Sequence, residues 1–360
     1  MIALLTAALL LAQAKPPAAA PVPFEKLAAQ AEAARAADKI DQAIPLYRQA
    51  LKAKPAWKEG WWFLGTLLYD KDIHTEAAPV FRKLVELDPE NGPALALLGL
   101  CEYQTKDYGQ SIAHLLRARN FNLGDNQQML LVVTYHAALI QTKYRRFESA
   151  LELLLETSKR GMSSPKTIEA TGLAALRMPL LPVEILEKDR ELIMLAGAAA
   201  TAASERKGGE AQKAFDQLLA RYPNTPNVHY IYGAYLMLND PDAGVQQFLA
   251  ELAIQKTHLP TLVSLALEYI KRGEPAKGLE YAQTAVKSAP ESFAAHAALG
   301  RVLVDSGTLD DGIKELETAE KLAPDSPQVR IALASAYAKA GRHTDAARER
   351  AEFSKLKNGK

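Results

Sequence analysis

The chain of 360 residues has a single cysteine, Cys101, and no excess of either charge, with a formal net charge of +1 at pH 7. One cysteine excludes an internal disulfide framework and a multi-cysteine metal site. A balanced charge gives no electrostatic footprint for nucleic acid. The scattered histidines form no His-Glu-x-x-His motif, and no phosphate-binding or nucleophile motif follows a strand. We therefore expect no metal, no cofactor, no catalytic residues and no nucleic-acid partner.

Long apolar runs are absent after the first residues, so we expect no transmembrane segment in the mature chain. The exception is the N-terminal run MIALLTAALLLAQA, which ends in a small-x-small triplet typical of secretory signals. We predict a signal peptide at 1–14, cleaved near Ala14, and a Pro/Ala linker at 15–23. The protein is then exported, and periplasmic or secreted. A mistaken start or an apolar tail is the alternative explanation.

Prolines and small residues recur with a period close to 34 residues. The prolines are Pro55, Pro89, Pro223, Pro290 and Pro324, spaced near multiples of 34. Glycine or alanine recurs in a matching phase at Ala31, Gly65, Gly99, Ala199, Gly233, Ala266, Gly300 and Ala334. A phase held over so much of the chain indicates an internal repeat.

The clearest repeat unit covers 58–91. Residues at the spacing of one helix face are Trp61, Leu64, Gly65 and Leu68. After a polar turn, Ala77 and Phe81 mark the inner face of a second helix, which Pro89 ends because proline cannot continue the hydrogen-bond ladder. One such helix pair cannot bury its own apolar face, so it must stack on neighbouring pairs.

This pattern resembles the tetratricopeptide repeat, a family of 34-residue helix pairs. The resemblance implies an all-α protein: a right-handed α-solenoid of about nine to ten antiparallel helix pairs. With the N-terminal run, we expect a bacterial, exported member of this family. Three units are expected at 24–125, five at 192–355, and a basic tail at 356–360. The structural core residues implied are Trp61, Leu64, Gly65, Ala77, Phe81, Pro89, Gly99, Gly233, Gly300 and Pro324.

The repeat phase breaks in the segment 126–191, where degenerate units are expected. Pro179 and Pro182 exclude a helix interior, so the chain is predicted to be irregular near 178–190, with an extended segment in place of one helix. Two explanations stay open: degeneration of one repeat, or an irregular wall that docks a partner.

In the family, the first helix of each unit lines a concave groove. The resemblance assigns to this groove the residues one, five and eight places after the position of Trp61. The predicted partner-binding residues are Trp62, Thr66, Tyr69, Tyr103, Tyr135, Tyr230 and Met237. Such an apolar, aromatic lining suits a segment with hydrophobic side chains. The alternative is that these aromatic residues pack against neighbouring repeats.

Some family members hold the terminal carboxylate of a chaperone tail with lysine and asparagine side chains in this groove. The corresponding places here carry Ala28, Glu32, Trp62 and Phe63. That carboxylate clamp is therefore missing. His229 and His296 take the place of Trp61 in later units, and they are predicted to be packed, hydrogen-bonded histidines.

The sequence thus predicts a non-catalytic scaffold that binds a protein or peptide partner. One alternative is a structural subunit of a cell-envelope assembly or secretion complex. A less favoured one is an enzyme that uses the irregular region 160–210, with His136 nearby.

Overall fold

The computed structural model describes residues 22–121, 123 and 127–358. Within them, the regular elements are nineteen α-helices and one short 3₁₀ turn, Pro182–Glu184. The predicted signal peptide (1–14), most of the linker (15–23) and the last two residues of the basic tail (356–360) lie outside the described residues. In the described part, no helix is both long and apolar enough to cross a membrane.

The chain divides into two compact units, one up to Val133 and one from Thr134 onward. Helices of the first unit are α1 (Phe24–Ala36), α2 (Ile40–Ala53), α3 (Lys58–Asp70), α4 (His74–Leu87), α5 (Gly92–Gln104) and α6 (Tyr108–Asn120). Helix α7 (Gln127–Lys143) contains the division.

The second unit continues with twelve further helices. These are α8 (Phe147–Lys159), α9 (Pro165–Ala175), α10 (Glu187–Ser204), α11 (Gly208–Arg221), α12 (Val228–Leu236), α13 (Pro241–Ile254), α14 (Leu259–Lys271), α15 (Pro275–Ser288), α16 (Phe293–Asp305), α17 (Leu309–Leu322), α18 (Pro327–Lys339) and α19 (His343–Asn358). In both units most helices pack against the next helix in the chain, joined by a short turn. The predicted all-α solenoid of helix pairs is confirmed.

Small residues set the distance between the two helices of a pair. Four glycines on first helices face a large side chain on the second helix of the same pair: Gly65–Phe81, Gly99–Leu115, Gly233–Phe248 and Gly300–Leu316. A Cβ atom added to Gly65 would lie only 2.6 Å from the Phe81 ring. Any larger residue would push the helices apart. The small residues that recur in the sequence therefore mark the places where the two helices of a pair approach most closely.

The irregular segment lies where the two prolines predicted it. Between α9 and α10 the chain forms only the 3₁₀ turn, and α9 then packs directly on α10. A Cβ atom on Gly172 would lie 1.9 Å from the carbonyl oxygen of Ile193, and one on Gly197 1.9 Å from that of Ile168. These paired glycines let the two backbones touch. The irregularity is shorter than expected, because α10 begins at Glu187.

Most turns within pairs hold one residue in the left-handed backbone region. These residues are Asp38, Asp72, Lys106, Arg145, Arg177 and Arg206, and then Gly273, Gly307 and Gly341. The region costs a residue with a side chain roughly 1–2 kcal/mol, whereas glycine enters it freely. The earlier turns therefore carry backbone strain that the last three avoid.

We expect Arg206→Gly to raise the free energy of unfolding by about 0.5–1 kcal/mol, because it removes this strain at an exposed turn (φ 60°). Gly307→Ala, at φ 90°, should lower it by about 1 kcal/mol. Urea unfolding followed by circular dichroism measures both changes. If both substitutions changed the free energy of unfolding equally and in the same direction, the backbone at Arg206 would not be strained.

Candidate functional site

Two predicted groove residues lie on α3 in the first unit. Trp62 is half-buried, and its ring meets the Phe81 ring edge-on, with centroids 6.2 Å apart. Thr66 is also half-buried, and its hydroxyl donates to the carbonyl oxygen of Phe63 at 3.0 Å. The Trp62 ring is thus held from one side by the core of its own pair.

Tyr69 and Tyr103 lie near the C-terminal ends of α3 and α5, and both are half-buried. Each packs against the first residue of the following helix. The Tyr69 ring lies 5.3 Å from that of His74, and the Tyr103 ring 5.5 Å from that of Tyr108. Burial raises the pKa of Tyr69 above its usual value, so this phenol stays neutral.

Two other groove positions of α5, Ala96 and Leu100, are buried. Cys101 beside them is fully buried as well, and burial raises the pKa of its thiol to about 12. A thiol with such a pKa is not a nucleophile at neutral pH. On α3 and α5, the partly exposed groove residues are thus Trp62, Thr66, Tyr69 and Tyr103, three of which are aromatic.

The remaining groove residues belong to the second unit, where they take part in packing. Tyr135 on α7 is half-buried, and burial raises its pKa. Tyr230 on α12 stacks on Phe248, with centroids 5.9 Å apart. Met237 packs against the cluster formed by Val245, Phe248 and Leu265. Contact of these three residues with a partner stays a prediction.

The predicted core residues of the clearest unit differ in exposure. Leu64, Ala77 and Phe81 are at most 2% exposed, whereas Pro89 is exposed at the end of its helix. Trp61 is half-buried, unlike the fully buried core residue that its phase suggests. Its indole N–H donates to the carbonyl oxygen of Pro55 at 2.8 Å.

The same contact recurs at each proline that closes a repeat. The side-chain donors and acceptor carbonyls are Trp61 to Pro55, Arg117 to Pro89, His229 to Pro223, His296 to Pro290, and Arg330 to Pro324. Four donors stand six residues after their proline. At Pro89 the corresponding residue is Leu95, which has no donor, and Arg117 from α6 replaces it. Trp61 stays partly exposed because its N–H must reach this turn.

A cleft between α16 and α18 was missed by the sequence reasoning. It encloses about 440 Å³ and is lined by Arg301, Val304, Asp305, Leu316, Gln328, Ile331, Ala332, Ser335 and Lys339. Most of these residues lie on the first helices of the last two pairs. The rule of one, five and eight places after the position of Trp61 also reaches this cleft. Counted from His296 it gives Arg301 and Val304, and counted from Arg330 it gives Ile331 and Ser335.

The family model for the tetratricopeptide repeat matches residues 28–92, 75–124, 263–327 and 298–351, together more than half of the chain. The chain belongs to the tetratricopeptide repeat (TPR) family. Such proteins are generally non-catalytic scaffolds for protein–protein interaction, which is the role that family membership supports. No curated protein matches the chain.

Several solved structures are similar to this TPR chain. MamA 41-end from Desulfovibrio magneticus RS-1 is 19% identical, with a TM-score of 0.41, and the match covers 47% of this chain and 97% of that one. MamA AMB-1 is 20% identical at TM-score 0.38, covering 45% and 96%. Yeast Tom70 is 12% identical at TM-score 0.39, covering 92% and 85%. Similarity at this level says nothing about a partner.

A buried polar network stands where α12 begins. Asn227, at φ 73°, donates from its side-chain amide to the Leu176 carbonyl oxygen at 3.0 Å. Its amide oxygen therefore accepts from His258 Nε2 at 3.0 Å, and His258 Nδ1 accepts from the Thr261 hydroxyl at 2.7 Å. In the neutral form of His258, one ring nitrogen donates and the other accepts, so both have a hydrogen-bond partner.

Glu251 on α13 completes this network. It is fully buried, and it accepts from the backbone N–H groups of Asn227 at 2.8 Å and Tyr230 at 3.2 Å. These are N–H groups that a helix start leaves unpaired, and Asn227 provides no side-chain cap of its own. Burial raises the pKa of Glu251, and the backbone N–H donors partly offset that effect. A side chain from the next helix therefore caps α12.

Trp61→Phe should lower the free energy of unfolding by about 0.5–1.5 kcal/mol, because it removes the hydrogen bond to Pro55 and keeps an aromatic ring. The control is Trp62→Phe, since the Trp62 indole N–H meets no acceptor in the described part of the chain. Urea denaturation measures both variants. Equal losses would show that ring size, not the hydrogen bond, accounts for the effect.

His258 gives the second unit an acid-sensitive stability. Burial, and secondarily the charge of Arg177, lowers its pKa from 6.5 to about 4, while Glu148 acts in the opposite direction. Between these values the unfolded chain binds a proton that the folded chain does not. The free energy of unfolding should therefore fall as the pH falls, by up to about 3 kcal/mol.

His258→Gln should reduce this dependence on pH, measured as the change in urea midpoint between neutral and mildly acidic buffer. Tyr230 packs against the histidine ring, and Glu251 binds the backbone N–H groups of Asn227 and Tyr230. The raised pKa of Glu251 opposes the trend. The informative quantity is therefore the difference between variants. His343→Gln, at an exposed histidine, serves as the control. A pH dependence that is equal in both variants would refute the role of His258.

Proposed function

We propose that this TPR protein is a non-catalytic scaffold that binds a protein or peptide segment through the first helices of its repeats. The observation that carries the proposal is the set of half-buried aromatic rings on α3 and α5. Trp62, Tyr69 and Tyr103 are each held in place by a ring contact. Rigid, partly exposed aromatic side chains lose little entropy on binding and are common interface anchors.

We also propose that the protein is exported and is periplasmic or secreted. The support is the apolar run at 1–14 with its small-x-small end at Ala14. N-terminal sequencing of the protein from its native cell tests this step. A mature chain that begins near Lys15 supports export, and a chain that retains Met1 contradicts cleavage.

A structural subunit of a cell-envelope assembly is the second candidate. Three apolar side chains of the second unit favour it, because they project into solvent outside the predicted groove residues: Val183, Leu186 and Leu238 are 91%, 58% and 75% exposed. Exposed apolar surface marks a contact site when it is contiguous, and Val183 and Leu186 lie three residues apart in the irregular segment. Co-purification with membrane proteins would favour this candidate over free peptide binding.

The enzyme alternative gains no support from the central region. Ser163 donates to Glu205 at 2.6 Å, and Glu205 pairs with Lys207 at 2.8 Å. Both contacts are ordinary polar contacts at a helix turn. Within the described residues, no group of three His, Cys, Asp or Glu side chains is placed to hold a metal ion.

The groove is tested by Trp62→Ala combined with Tyr103→Ala. Partners crosslinked to the protein in the native cell envelope should be recovered at least about tenfold less with this variant, because both anchors are lost. Circular dichroism must show that the variant is folded.

The matched control is Lys83→Ala combined with Glu86→Ala on α4, an exposed ion pair on a second helix. Its recovery of partners should equal that of the unmodified protein. Undiminished recovery with the double aromatic variant would refute binding through these anchors.

A further inference from the structure

Two adjoining depressions meet at Ile331 in the second unit. The first is the cleft between α16 and α18. The second, of about 620 Å³, lies between α18 and α19 and is lined by Ile331, Ala334, Ser335, Ala338, Lys339, Arg350 and Phe353. Ile331, Ser335 and Lys339 line both. We call the combined area the Ile331 surface.

The centre of the Ile331 surface is apolar and open to solvent. Ile331 is 51% exposed, and it holds the same place after Arg330 that Trp62 holds after Trp61. Val304 and Leu316 form the floor of the cleft and are at most 8% exposed. An aliphatic side chain can therefore be buried against Ile331 without disturbing the helix pair beneath it.

Unpaired positive charge stands on both sides of Ile331. Six arginines lie within helices of the second unit, and four of them, Arg190, Arg221, Arg330 and Arg348, pair with carboxylates. Arg301 and Arg350 are both exposed, and neither has a carboxylate partner among the described residues. Each lines one of the two depressions.

The other charges of this surface cancel. Lys339 pairs with Asp305 across the cleft, so neither is left to attract a ligand. The net result is an aliphatic centre between two free guanidinium groups. A guanidinium is weakly hydrated and matches the geometry of a carboxylate, so it suits an interface with acidic side chains.

We propose that the Ile331 surface binds a protein segment in which an aliphatic side chain is flanked by glutamate or aspartate side chains. The aliphatic group packs on Ile331, and the acidic groups face Arg301 and Arg350. This inference rests on the proposed function, since it names the kind of segment that one part of the scaffold takes. The acidic groups are side chains within the segment, so no terminal carboxylate is required.

The test uses three short, fluorescently labelled peptides with acetylated and amidated ends, which removes terminal charges. All three carry leucine at the same places, and their other positions carry glutamate, glutamine or lysine. Fluorescence anisotropy with the full chain should show the glutamate peptide binding at least about tenfold more tightly than the glutamine peptide. The preference should shrink at high salt, which screens exposed charges. The lysine peptide should bind most weakly.

The variant Arg301→Glu combined with Arg350→Glu should weaken the glutamate peptide at least about tenfold and strengthen the lysine peptide. The control is Arg145→Glu combined with Arg206→Glu, which makes the same change of charge at exposed turn residues of the second unit. The control should bind all three peptides like the unmodified protein. Ile331→Asn, which leaves the charge unchanged, should weaken the glutamate peptide without the gain for lysine.

Several outcomes would overturn the inference. If the glutamine peptide bound as tightly as the glutamate peptide, the arginines would have no role in recognition. If the Arg145→Glu/Arg206→Glu control lost as much affinity as the Arg301→Glu/Arg350→Glu variant, the effect would be due to net charge alone. Binding of none of the three peptides would also refute it, while the proposed function would still be judged by the crosslinked partners of the aromatic variant. Concentration-dependent dimerisation that the Arg301→Glu/Arg350→Glu variant abolishes would assign the surface to a second copy of the chain.

Discussion

The close contact between a glycine on one helix and a large side chain on the next, found in four helix pairs, is the constraint on which the rest of the structure depends. Gly65 admits the Phe81 ring, and this sets the distance between α3 and α4. Trp62, one turn earlier on α3, then meets the same ring edge-on and stays half-buried. The orientation of the candidate binding residue is therefore a consequence of the packing in the core, and the two cannot vary independently.

Much of the fold could be predicted from the sequence, because one period controls three separate features. Small residues mark the contact between paired helices, prolines mark helix ends, and apolar spacing marks the buried face. All three repeat every 34 residues in the clearest units. The break at Pro179 and Pro182 was visible for the same reason. The direct contact of α9 with α10 was not, since it depends on Gly172 and Gly197, which lie outside the repeat phase.

The candidate site was less predictable, because it depends on which groups are left unpaired in three dimensions. Trp61, Arg330 and the histidines His229 and His296 belong to three chemical classes. Their common role as donors to a proline carbonyl appears only in the folded chain. Arg301 likewise lacks a carboxylate partner in the described structure because Asp305, which lines the same cleft, pairs with Lys339 instead. A sequence shows how many arginines and glutamates a protein has, but it does not show which of them meet.

The cap that Glu251 provides to α12 also bears on the order in which the protein assembles. Helix α12 has nine residues, fewer than an isolated helix needs to be stable in water. Its first amides are bound by a carboxylate that reaches them only after α13 has docked. A chain that ended after α12 would lack this cap, so α12 and α13 form one cooperative unit. Assembly of this junction therefore requires both helices to be present.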